Sequence, residues 1–237
     1  MFKINKLVYF FAIISILIGA YKEFIIINTL IIIHEFGHLL AAKIFKVEVD
    51  KIYIYPLGGI TKLNMNLNIH PLKEFVIVLM GPLFQYISYF ILINLFEKEI
   101  VQTYHYGILL FNLLPIYPLD GGKILNIIIS SFIPYKRSLK LSAYLSYIVI
   151  LLVVINYKEI KLNIIITTLF LTTLAVKEQL KINHKYNKFI LERYLNNYRF
   201  NKSKIISNDN DLYRNRRHLL RINGKYYLEN EYFYKKC

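Results

Sequence analysis

Six apolar runs, at about 7–21, 24–45, 72–96, 102–132, 139–157 and 161–176, fill most of the first three quarters of this 237-residue chain. At about 1.5 Å of rise per residue, such runs suit a hydrocarbon core of about 30 Å, the last being short for it. A backbone placed in lipid must satisfy its own hydrogen bonds, and a helix does this within one segment. The expected fold is an all-α membrane protein, a polytopic six-helix transmembrane bundle. A composition that is 56% hydrophobic excludes a soluble domain with polar faces throughout.

Positive charge then sets the orientation. With the N-terminus inside, twenty-five Lys and Arg fall on the cytoplasmic side, against Lys22, Lys98, Lys158 and Lys161 outside. Both termini are therefore expected in the cytoplasm. Residues 177–237 hold fifteen Lys or Arg against six Asp or Glu, a balance that fits anionic lipid better than nucleic acid. Two parts follow: a membrane core at 1–176 and a small basic tail at 177–237. Lys3 and Lys6 precede the first run as in a signal sequence, but Ile18-Gly19-Ala20 offers no small-x-small cleavage site, so this helix is expected to stay. The lone Cys237 excludes an internal disulfide.

Two stretches break the helical pattern. Residues 47–63 alternate β-branched and polar side chains around Gly58-Gly59, which predicts a short membrane-associated β-hairpin. Its edge has the chemistry to pair with an extended peptide, or to be an ordinary surface hairpin. In the tail, Leu180, Tyr186, Phe189, Ile190, Tyr194 and Leu195 form an amphipathic stripe that needs a partner surface, the membrane interface or a second subunit. Residues 203–211 read as a polar linker. His218–Leu228 reads as a hairpin turning at Asn223-Gly224.

The second run contains His34-Glu35-Phe36-Gly37-His38. Imidazoles four residues apart project from one face of a helix, one turn apart, and can reach one zinc ion at about 2.0–2.1 Å. Glu35 stands beside them to take a proton from an activated water. Three ionisable groups at bilayer depth are costly, by roughly 2.5 kcal/mol or more for each charge, and a metal would offset that. A catalytic zinc commonly takes three protein ligands. The remaining histidines, 70, 105, 184 and 218, fall in or near loops or the tail by this reading. Asp120 is the better third ligand. It lies in Asn112–Lys123, where two prolines and two glycines interrupt an apolar run, and broken backbone at membrane depth is tolerated where it is buried or lines a cavity. Gly81-Pro82 in the third run reads as a packing or kinking device rather than a substrate contact.

His34-Glu35-x-x-His38 paired with an Asn-x-x-Pro…Leu-Asp-Gly segment resembles the site-2 protease family of intramembrane metalloproteases. Asn112–Lys123, Pro71-Leu72-Lys73-Glu74 leading to Gly81-Pro82, and Phe189–Tyr194 resemble its stage IV sporulation branch. The resemblance covers roughly residues 1–198. It implies one Zn2+ per subunit held by His34, His38 and Asp120, Glu35 as general base, and Asn112 as a hydrogen-bond donor to the scissile carbonyl. It also implies a multi-pass protein of the mother-cell membrane around the forespore, cleaving the membrane-associated precursor of sporulation sigma factor K. Stage IV sporulation protein FA and BofA would be its regulators, and homo-oligomers are compatible with it. Relatives carry a C-terminal cystathionine-β-synthase-type module resembling an ATP sensor. About forty residues after the amphipathic helix are too few for one, so ATP is expected to have little effect. Intramembrane His and acidic residues also line cation pathways, so a transporter is one rival. A site-2-type protease with a non-sporulation substrate is another.

Overall fold

The computed structural model describes residues 2–4, 6–47, 49–55, 58–63, 65–156, 162–196, 198, 200, 202–222, 224–229 and 231–232. Among the described residues eight α-helices dominate: α1 (Lys6–Leu17), α2 (Tyr21–Ile44), α3 (Pro71–Leu95), α4 (Lys98–Leu113), α5 (Asp120–Phe132), α6 (Tyr135–Asn156), α7 (Leu162–Leu180) and α8 (Ile182–Leu195). Two small three-stranded sheets accompany them. The first has order β1-β2-β3 (Phe2–Ile4, Val49–Tyr55, Gly58–Leu63) and the second β4-β5-β6 (Ser203–Ile206, Arg217–Ile222, Lys225–Leu228).

Among the described residues three helices, α2, α3 and α6, are long and apolar enough to cross a bilayer. Their large apolar side chains point outward in quantity, Ile32, Phe36, Phe90 and Leu151 among them, as a lipid-facing surface requires. The other expected spans are carried differently. The first run forms only the 12-residue α1, about 18 Å long. The fourth is split into α4 and α5, of 16 and 13 residues. The sixth extends past its expected end, as α7 reaches Leu180.

The chain divides into two compact units. The first comprises residues 1–65 and 75–113, the second residues 66–74 and 114–237. In the first unit, Ile26, Leu30, Leu92 and Val101 form a buried apolar cluster. β2 and β3 pair antiparallel as a hairpin, with Gly58 and Gly59 as the opening residues of β3, opposite Tyr55 and Ile54, and not as its turn. β1 adds to β2 in parallel, a strand that the apolar N-terminal pattern does not disclose.

In the second unit the break between α4 and α5 is fully accounted for at one awkward point. Ile116 is completely buried, and the adjoining Tyr117 N–H donates to Ser146 Oγ of α6 at 2.9 Å. Gly122 permits this fold-back, because a Cβ there would run into the Ile116–Tyr117 backbone. Along α6, Ser138, Ser142 and Ser146 are buried at four-residue intervals, and Asn126 of α5 donates to Ser142 Oγ at 3.0 Å. Small polar residues let helices approach closely where hydrophobicity alone gives no drive to associate.

The tail departs from the expected linker and free stripe. Residues 203–206 are strand β4, paired in parallel with β5. The apolar face of α8 packs within its own unit: Ile182, Tyr186 and Phe189 join Tyr135, Leu139 and Ala143 of α6 and Ile206, Leu212 and Leu220 of the C-terminal region. For Tyr186 and Phe189 the partner surface is this chain, whereas Leu180 and Leu195 of the same stripe stay exposed.

Candidate metal centre

Both motif histidines lie in the middle of α2 and are buried, with 4% and 7% of their surface exposed for His34 and His38. Their Nε2 atoms stand 3.2 Å apart. Two nitrogens bound tetrahedrally to one zinc at about 2.0–2.1 Å would be separated by roughly 3.3 Å. The pair is spaced as two ligands of a single ion.

The other ring nitrogens are engaged by α3. His38 Nδ1 lies 2.8 Å from the carbonyl oxygen of Ile77, and a carbonyl can only accept, so His38 donates from Nδ1. His34 Nδ1 lies 3.0 Å from Oε1 of Gln85, whose Nε2 donates to the backbone oxygen of His105 at 3.1 Å. Gln85 is completely buried.

Close packing of α2 on α3 depends on two glycines. A Cβ at Gly37 would meet the backbone carbonyl of Met80, and one at Gly81 would collide with the His38 ring. Gly81 therefore acts as a seat for the imidazole, which gives the Gly81-Pro82 pair a packing role next to the site.

Glu35 is half-buried on the same helix. Asn112 is half-buried one residue before the end of α4. Asp120 is the first residue of α5 and is 4% exposed, where a helix N-terminus favours negative charge. Lys123, three residues on, pairs with its Oδ1 at 2.9 Å. Two imidazoles and one carboxylate, each buried, are donor types that a zinc ion accepts.

Of the remaining histidines, His105 corrects the loop placement expected from sequence. It sits inside α4, fully buried and stacked on Tyr89 at 4.6 Å between centroids. His218 is likewise buried, in β5. Its Nε2 accepts from Tyr213 N–H at 3.0 Å, and its Nδ1 faces Glu229. Arg193 of α8 completes that cluster, donating to Glu229 at 2.8 Å, to Asn68 Oδ1 at 2.7 Å and to the Tyr213 carbonyl at 2.6 Å. Burial pulls the Arg193 and His218 pKa values down, with Glu229 acting in the opposite direction.

Sequence reasoning missed Gln85 and the Ile77 carbonyl. A buried Gln in an apolar helix was the available signal for the first. A backbone carbonyl leaves none.

Comparison with known proteins follows these features. Residues 22–109, which hold the histidine motif, match the Peptidase family M50 profile. The chain is 28% identical over 203 residues to stage IV sporulation protein FB of Bacillus subtilis, covering 81% of this chain and 70% of that one. It is 33% identical over 131 residues to a zinc metalloprotease of Methanocaldococcus jannaschii, covering 51% of this chain but only 38% of the relative. Its fold is similar to that of the site-2 protease from Methanocaldococcus jannaschii, with a TM-score of 0.57 at 24% identity over 75% of this chain and 89% of that one. On these matches, residues 22–109 are similar to peptidase family M50, and the fold is similar to that of a site-2 protease.

Proposed function

We propose that this protein is an intramembrane zinc metalloprotease that hydrolyses a peptide bond in a membrane-associated protein precursor. One observation carries the reading: two buried imidazoles of an apolar helix face each other through Nε2 at 3.2 Å, each with its Nδ1 on an α3 partner. Without a metal or a proton, two lone pairs so placed would repel.

In this reading His34, His38 and Asp120 hold one zinc ion per chain. The ion, when bound, polarises water and carbonyl so that hydrolysis runs near neutral pH. Glu35 accepts the proton of the attacking water and returns it to the leaving amine. Asn112 donates from its side-chain amide to the scissile carbonyl. A helical substrate must unwind first, because a helix engages its carbonyls in its own hydrogen bonds. The edge of the β2–β3 hairpin is suited to hold the extended strand.

The sporulation reading rests on the similarity to stage IV sporulation protein FB, which spans most of both chains. The substrate would then be the sigma factor K precursor, with stage IV sporulation protein FA and BofA as regulators and both termini in the mother-cell cytoplasm. Six membrane crossings, with α4 and α5 sharing one, agree with the positive charge on alternate loops.

Co-expression with the sigma factor K precursor, followed by mass measurement of the product, tests the substrate. Glu35→Gln tests the chemistry: cleavage is lost while zinc content is kept, because the ligands survive and only the base is removed. Full activity at matched expression would refute the protease reading.

A further inference from the structure

We infer that Gln85 is a positioning residue for metal binding, the group that fixes which nitrogen of His34 faces the ion. The inference rests on the metalloprotease reading above and goes beyond the ligand set. It begins at a backbone atom. The carbonyl oxygen of His105 can only accept a hydrogen bond, and it lies 3.1 Å from one end of the Gln85 amide. That end must be the NH2 group, which leaves Oε1 for the other contact.

The other contact is His34 Nδ1, at 3.0 Å. Oε1 of Gln85 can only accept, so the proton of a neutral His34 sits on Nδ1. Its lone pair is therefore on Nε2, the nitrogen that faces Nε2 of His38. A chain of three obligations, from α4 through α3 to α2, thus presets the tautomer and the ring plane of a ligand. His38 is preset in the same way by the Ile77 carbonyl.

The two devices differ in one respect that matters for an experiment. The Ile77 carbonyl belongs to the backbone and no substitution removes it. Gln85 is a side chain, completely buried, in a helix of mean apolar character. A wholly apolar residue would fill that place at no desolvation penalty, whereas an amide must have both ends satisfied. Both are satisfied here, one of them by a metal-ligating histidine. Partners of this kind orient the ligand ring and raise its basicity.

The test compares full-length wild type with Gln85→Met and Gln85→Glu in detergent, using Co2+ alone as the probe. Affinity is read by chelator competition and geometry from the visible absorption of the bound cobalt. Met fills a similar volume and offers His34 no comparable acceptor. Glu keeps an acceptor for Nδ1 but gives up the NH2 donor to His105. We expect Met to weaken Co2+ binding by about 10- to 100-fold and to alter the cobalt spectrum. Glu should restore binding to near the wild-type value.

Wild-type affinity in Gln85→Met would overturn the inference. So would equal loss in Met and Glu, since the damage would then follow from the lost bond to His105 and not from the acceptor. If the wild type itself bound no Co2+, the metal site would fall and this role with it. That outcome is seen before any variant is compared, so the two failures are distinguishable.

Discussion

His34 and His38 in the first unit and His218 in the second are all buried, yet their ring nitrogens are used in opposite ways. At His218 the protein takes up both: Nε2 accepts from the Tyr213 N–H and Nδ1 faces Glu229. At the motif pair α3 engages Nδ1 of each ring, and the two Nε2 atoms lie 3.2 Å apart. A ring whose two nitrogens both have protein partners is part of the fold. A pair whose lone-pair nitrogens converge at ligand spacing is set up for a cation. Burial alone does not separate the two arrangements, whereas the facing Nε2 atoms of the motif pair do.

The contrast breaks most visibly if the proposed ligands are exchanged for non-ligands. Asp120→Ala and His38→Ala are expected to lose zinc and to reduce cleavage to background, while His218→Gln should keep its zinc. Metal analysis of the purified proteins checks both halves. Unchanged zinc in Asp120→Ala would remove it from the coordination shell and reopen the search for a third ligand.

The next effect concerns stability. Arg193 is 2% exposed and paired with Glu229. Removing one member of a buried ion pair leaves the other uncompensated, at about 3–5 kcal/mol. Glu229→Ala should therefore lower the denaturation midpoint strongly without changing zinc content. Truncation after Asn201 should do the same or worse, because it removes Glu229, the Tyr213 carbonyl and the apolar residues Ile206, Leu212 and Leu220 that α8 packs against. From the sequence, the residues beyond Asn201 read as a polar linker and a small hairpin. The structure makes those residues part of the core.

That reversal marks where sequence stops being informative. Four-residue spacing put His34 and His38 on one face, since the pitch of a helix is local physics. The interruption at Asn112–Lys123 was legible from its prolines and glycines. The β5–β6 turn was suggested by an Asn-Gly pair, and Gly224 does adopt a positive φ of 77°. What stayed hidden was pairing across distance. Arg193 and Asn68 are 125 residues apart, and His34 and Gln85 are 51. Nothing in the local pattern of either partner names the other. The tail's charges suggested a surface for anionic lipid, but Arg193 and Arg214 are buried and paired with Glu229 and Glu74.

A smaller effect sharpens the comparison at the broken helix. Ser146→Ala would strip the Tyr117 N–H of its acceptor, leaving a partly buried donor unpaired at up to about 1–3 kcal/mol. Ser146→Thr keeps the oxygen and should retain more of the stability. Thermal unfolding followed by aggregation in detergent orders the three proteins, and an unchanged midpoint in Ser146→Ala would mean that another group serves Tyr117.

The smallest expected effect is a pH dependence confined to His218. Burial holds its pKa below the ordinary value of 6.5, with Glu229 opposing and Arg193 and Arg216 adding to the depression. In the folded protein the ring stays neutral, and on unfolding it regains an ordinary pKa. Below about pH 6.5 the unfolded chain therefore binds more protons at this site than the folded one. The stability it contributes is intact above that pH and is lost as the pH falls through the unfolded value toward the lowered folded one, by at most about 1.4 kcal/mol for each pH unit. His218→Gln offers an amide that can accept from Tyr213 and donate to Glu229 without titrating. Denaturation midpoints of wild type and variant at pH 7.5, 6.5 and 5.5 should diverge only at the acid end, with the wild type falling faster. Groups that do not contact His218 titrate equally in both proteins and cancel in the difference. Parallel slopes would show that His218 takes up no proton on unfolding in this range, and that its two hydrogen bonds do not hold it neutral as the geometry requires.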